Sequence, residues 1–275
     1  MSTRHFLRPI SQAGRLRLGL WKSNSIPSRP ISSYTGNDKE QQDDAVLEAL
    51  KADDPLRDLQ TDYLDLYLLH YPYMFARGED RFLKGENGLM RMGDTTYVDT
   101  WKALQEIMKR TGKIRTFGVS NFSKDEVGNL IEAGMAPAVH QMELHPFLIQ
   151  KSFAAWHKSL GIHVQQFSPL GNMNSFYRDV YWCNGRANRG RLPDEPVLSE
   201  IGAKYSKSPA QMALAWDVNH GLSMILKRTV PCQIRQNIES DFVLEEEDME
   251  SIDKLNADLR FNTPDEAYRW PLDGV

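Results

Sequence analysis

Five apolar runs in this chain end on, or carry near their ends, side chains that could do chemistry. The run "LDLYLLHY" ends around His70, and "TFGVSN" ends on Ser120 and Asn121. "AVHQMEL" carries Gln141 and Glu143, "HVQQFS" closes on Phe167 and Ser168, and "SMILKR" closes on Lys227 and Arg228. Together they supply a titratable ring, hydroxyls, carboxamides and a cation pair. A packed core alone requires no polar group at these ends. Repeated at five termini, the pattern predicts a ring of polar groups around one mouth, which is a ligand site.

The elements that must position these residues alternate short apolar runs with helical periods. "DDAVLEALKA" reads as a helix behind an acidic start. "YVDTWKALQEIMKRTGK" places Val98, Trp101, Leu104, Ile107 and Met108 on one helical face and stops at Gly112. "SKDEVGNLIEAGM" opens with Ser123 as N-cap and Glu126 three residues on, a capping box. Further helices are expected over "IQKSFAAWHKSLG", "PVLSEIGAKYS", "SPAQMALAWDVNHG", "CQIRQNIES" and "EEEDMESIDKLNADL". "LRLGLW" is a further strand candidate near the start. Strand followed by helix, repeated, means parallel strands joined by crossover helices. The expected fold is therefore α/β, a (β/α)8-type TIM barrel, in which chemistry gathers at the C-terminal strand ends. No G-x-G-x-x-G follows any strand, which argues against a doubly wound dinucleotide fold.

Bulk properties narrow the partners. The chain has 275 residues, 33 Lys and Arg against 37 Asp and Glu, and a net charge of -4. No nucleic-acid footprint is expected from that balance. No run approaches ~18 consecutive apolar residues, so no membrane partner is expected. Cys183 and Cys232 offer no disulfide framework and no metal-ligand spacing, so no metal is assigned. Residues 1–37 lack Asp and Glu but carry Arg4, Arg8, Arg15, Arg17, Lys22 and Arg29. They read as a separate basic segment, disordered or targeting, ahead of a barrel domain over 38–275. Cytoplasmic localisation is the main expectation, with a mitochondrial transit segment as the alternative.

The motifs "LDLYLLHYP", "GKIRTFGVSNF", "VHQMELHP", "FSPLG", "SPAQMALAW" and "ILKR" followed by "IRQN" resemble, in order and spacing, the aldo-keto reductase family. That resemblance implies an NADP(H)-dependent oxidoreductase that reduces an aldehyde or ketone to an alcohol. It implies that His70 sits beside the substrate carbonyl, where a neutral imidazole can donate a hydrogen bond. It places Ser120, Asn121 and Gln141 on the nicotinamide carboxamide, whose acceptor and donor ends they complement. Phe167 takes the ring-stacking position, usually a tyrosine, and needs only its π face. Ser168, Leu170 and Gly171 lead into a loop over the pyrophosphate, and 172–196 is a lid or a variable loop. Lys227 and Arg228 match the adenosine 2′-phosphate site, with Gln236 and Asn237 at the adenine. Gln233 stands where the family carries an arginine, so NAD(H) stays open beside NADP(H).

The resemblance also implies a Tyr, Lys and Asp on early strands that handle the proton. Those strands have no ordered counterpart: after Ala52 the chain passes directly to the segment preceding the His70 strand. One alignment reads Tyr34 of "YTGNDKE" as the proton-donating tyrosine. The barrel is accordingly expected to be incomplete in its N-terminal third, leaving open whether the chain is a monomer or a dimer. Three functions follow: a carbonyl reductase, a catalytically impaired NADP-binding or partner-binding relative, and a barrel of other chemistry such as a phosphosugar isomerase. The C-terminal "RFNTPDEAYRWPLDGV" could cover a substrate pocket through Tyr268 and Trp270, or lie on the surface.

Overall fold

A computed structural model describes residues 62–73, 86, 91–93, 95–171, 190–226 and 230–262. Tyr34, Lys227, Arg228, Tyr268, Trp270 and the first predicted strand and helix lie outside the described residues, as does the greater part of the 172–196 loop. The chain divides into two compact units, with the division at Val139 and His140.

The described part of the first unit holds β1 (Tyr67–Leu69), α1 (Tyr97–Thr111), β2 (Phe117–Ser120) and α2 (Lys124–Glu132). β1 and β2 run parallel, Leu68 opposite Gly118, as a helical crossover demands. The predicted strand over "LDLYLLHY" is shorter than its apolar run; Leu64 contributes a lone bridge to Ile114. α1 begins where Thr96 and Asp99 cap each other reciprocally and ends at Gly112 in the left-handed region, whose N–H reaches Met108 O. Trp101, Leu104 and Ile107 are fully buried, while the predicted Val98 and Met108 are half-buried at the stripe's margins. Trp101 packs edge-on against Phe117 and donates Nε1–H to Met135 O at 2.9 Å. α2 opens with the capping box read from Ser123 and Glu126. Gly118 leaves no room for a side chain: a Cβ there would stand 2.2 Å from Val139 O. Only glycine lets the two backbones approach this closely.

The second unit holds β3 (Val139–Glu143, its first residue in the first unit), α3 (Lys151–Ser159) and β4 (His163–Phe167). They are followed by a 3-10 turn (Leu192–Asp194), α4 (Pro196–Tyr205), α5 (Pro209–Asn219), β5 (Ser223–Met224), α6 (Pro231–Ile238) and α7 (Glu246–Asp253). β4 and β5 are parallel, with Gln165 opposite Ser223. "SMILKR" yields only two strand residues, although Ile225 N still bonds Gln166 O at 3.0 Å. α5 carries Met212, Leu214 and Trp216 in full burial, which its near-continuous apolar sequence requires. The core gathers Met142, Leu144, Phe147, Leu198, Trp216 and Phe261. Three helices, α1, α2 and α5, start with complete capping boxes, so their first turns are satisfied locally.

Candidate active site

In the first unit the chemistry sits just past the C-terminal ends of β1 and β2. Asn121 takes a left-handed backbone, φ 60°, which asparagine tolerates better than most residues. From there its Nδ2 donates to His70 O at 3.1 Å and to Ser120 Oγ at 3.0 Å. One side chain thus joins the two strand ends that carry the predicted residues. Asn121 is not the cap of α2; Ser123 holds that place. His70 lies with its ring 4.4 Å from that of Tyr71. His70 keeps an exposed surface, while the protein packed around its imidazole lowers its pKa from the usual value, so the neutral form is favoured near pH 7. Tyr73 is a nearby phenol, but burial and then the Glu126 carboxylate push its pKa up. That is opposite to a tyrosine activated by a neighbouring cation.

In the second unit Gln141 of β3 is half-buried and donates Nε2–H to Gln165 Oε1 at 2.7 Å. β4 alternates strictly: His163, Gln165 and Phe167 are half-buried, Val164 and Gln166 fully buried. Phe167 therefore shares a face with Gln165, its ring not consumed by the core. Ser168 is held left-handed at φ 54°, and Gly171 N closes a turn onto Ser168 O at 2.8 Å. Gly171 is also left-handed, and a Cβ there would meet Phe261 Cε2 at 3.4 Å. The turn at 168–171 is closed by that Gly171–Ser168 bond, with Pro169 and Gly171 buried. Leu170 packs against the apolar clusters and acts there as a wall. Gln236 is exposed, and its carbonyl accepts from Gln211 Nε2 and Ser240 Oγ. Asn237 is buried with Nδ2 lacking any hydrogen-bond partner. An orphaned buried donor fits a missing acceptor such as an adenine ring nitrogen.

The family profile described as "Aldo/keto reductase family" matches residues 37–257, most of the chain. The chain belongs to the aldo/keto reductase family. It is 39% identical over 236 residues to aldo-keto reductase family 1 member A1 of Sus scrofa, covering 85% of this chain and 69% of that protein. It is 36% identical over 263 residues to the Cricetulus griseus protein of the same name, covering 93% and 76%. Against the Homo sapiens protein it is 36% identical over 242 residues, covering 85% and 69%. Membership and the parallel strand–helix arrangement give the fold class, a (β/α)8-type barrel. An oxidoreductase is what this membership supports; an impaired relative finds no support in it.

The aldo/keto reductase motifs hid several buried polar groups whose work is structural. Glu143, read from sequence as part of the polar ring, is wholly buried. Its Oε1 accepts from His145 Nε2 at 3.0 Å and from Phe261 N at 2.8 Å; Oε2 accepts from Asn262 N at 2.8 Å. Desolvation pushes its pKa up, but the His145 ring, the Arg260 guanidinium and the Phe261 amide outweigh that and hold it low. His140 and His157 are also buried, with Nδ1 and Nε2 2.6 Å apart. His157 Nδ1 must donate to Phe153 O, 2.8 Å away, so its Nε2 accepts from His140 Nδ1–H. Burial lowers both pKa values, most strongly that of His140. Alternation in "VHQMEL" places His140 with Met142 and Leu144, a legible signal that this histidine faces the core.

Proposed function

We propose that this family member is an NADP(H)-dependent reductase of small aldehydes or ketones, working as a soluble cytoplasmic enzyme. When bound, the dinucleotide supplies the hydride. The chain's own residues supply binding, orientation and the proton. His70, neutral at pH 7, donates a hydrogen bond to the substrate carbonyl oxygen and orients it. Ser120, Asn121 and Gln141 take the carboxamide of the nicotinamide, and Phe167 offers a π face to its ring. The turn of Ser168, Leu170 and Gly171 leads into the loop over the pyrophosphate. Lys227 and Arg228 take the 2′-phosphate, which favours NADP(H) over NAD(H), and Gln236 and Asn237 take the adenine. Tyr34 is assigned as the proton donor to the developing alkoxide.

The observation that carries this reading is the Asn121 bridge, which draws His70 and Ser120 together at strand ends. The test is a purified chain with NADPH and a panel of aldehydes and ketones. Turnover is expected, with quenching of protein fluorescence by NADPH. Tyr34→Phe should abolish turnover and retain quenching; unchanged turnover rejects the role of Tyr34. Quenching with no turnover in the parent chain would replace this reading with a non-catalytic one.

A further inference from the structure

β3, β4 and β5 are neighbours in that order, and Gln141 and Gln165 meet side chain to side chain across the first pair. A carboxamide has one accepting end and one donating end. Whichever end a fixed neighbour engages, the other is left to face a ligand. Here Nε2 of Gln141 is engaged by Gln165 Oε1, which leaves Gln141 Oε1 as the presented atom. Gln165 lies mid-strand, opposite Ser223 in register, and Ser223 Oγ is paired with His163 Nε2 at 2.7 Å. Phe167 is the next residue along that face.

We propose that Gln165 is a positioning residue: it holds the Gln141 amide with its oxygen turned toward the amino group of the nicotinamide carboxamide, and so helps select which ring face is presented. The inference deepens the proposed function and rests on its assignment of Gln141. Gln165 acts through Gln141 and need not touch the cofactor. A side chain at 165 that can only accept preserves the arrangement, whereas an apolar one frees the Gln141 amide to rotate.

The test measures dissociation constants for NADPH and for adenosine 2′,5′-bisphosphate, a fragment with no nicotinamide. The proteins are the full-length parent, Gln165→Leu, Gln165→Glu, Gln141→Leu and the double variant Gln141→Leu/Gln165→Leu. Gln165→Leu should weaken NADPH about five- to tenfold, the scale of one lost hydrogen bond, and leave the fragment unchanged. Gln165→Glu should stay within about threefold of the parent, because a carboxylate still accepts from Gln141 Nε2. The double variant should be no weaker than Gln141→Leu. Three results overturn the proposal: unchanged NADPH affinity in Gln165→Leu while Gln141→Leu weakens it, equal loss for NADPH and the fragment, or a Gln165→Glu as weak as Gln165→Leu. If Gln165→Leu fails to fold, Gln165→Glu decides, since loss of NADPH alone in that variant refutes the accepting role. A parent chain that binds no NADPH overturns the functional reading, and this proposal with it.

Discussion

His70 leaves β1 with its carbonyl held by Asn121 and its ring against Tyr71, so its position is fixed from both ends. The low pKa follows from lost hydration, and the sign matters for the chemistry. A neutral ring keeps one N–H donor and one lone pair. NMR titration of the His70 ring should give an ionisation below 6.5, the ordinary value. Because the folded value is depressed, the folded state takes up fewer protons than the unfolded chain as pH falls below 6.5, and stability drops through the folded pKa. A value at or above 6.5 would mean that the surrounding protein does not desolvate the ring. At this scale the sequence was informative where a polar residue interrupts an apolar run, as at His70 and Gln141. It was silent on Gln165, because nothing in "HVQQFS" says which glutamine faces a ligand and which faces a helix.

The two glutamines of β4 are answered by different elements, and the second answer is strained. Gln166 and Asp217 of α5 are both fully buried, and neither side chain makes a hydrogen bond of good geometry. Burial drives the Asp217 pKa well above its usual value; partial relief from Gln166 does not offset it. Burial therefore favours the protonated form of Asp217. Its folded pKa lies above the unfolded one, so its contribution is intact below 3.8 and is lost as pH rises through the folded value. Asp217→Asn keeps the shape, cannot ionise and can pair with Gln166. It should stabilise the protein at pH 7 by about 1–3 kcal/mol, the cost of an unsatisfied buried group. Urea titrations at pH 7 and near pH 4 check this: the gain should shrink toward the acid end, and a loss at pH 7 would refute it. The capping box at Ser123 was legible because it is written in four consecutive residues. The short β1 and β5 were not, because strand length depends on a neighbour's pairing and an apolar run does not record it.

Across the whole molecule, Glu143 links positions more than a hundred residues apart by accepting from the backbone of Phe261 and Asn262. Gln150 supports the same corner: its Nε2 donates to Glu143 O at 2.6 Å, and Arg260 Nη2 donates to its Oε1 at 3.2 Å. Glu143→Gln would turn an NH2 toward N–H donors or lose one of the acceptors. It should cost about 2–4 kcal/mol at pH 7, in the range for breaking a buried charged network. The depressed pKa means that this contribution is present above 4.5 and is lost as pH falls through the folded value. Thermal melts of parent and variant should therefore converge in acid; a constant difference down to low pH would argue against a charged Glu143. This link spans the chain, and no local pattern in "ELHP" announces it. The fold class was legible because strand and helix alternate repeatedly, and the family because six motifs keep their order. One more consequence lies in the alternation of β4. Its two sides do unrelated jobs, one filling the interior and one carrying Gln165 and Phe167. A single residue inserted or removed in the turn at 160–162 would slip the strand by one and exchange those jobs, sending Gln165 and Phe167 inward and Val164 outward.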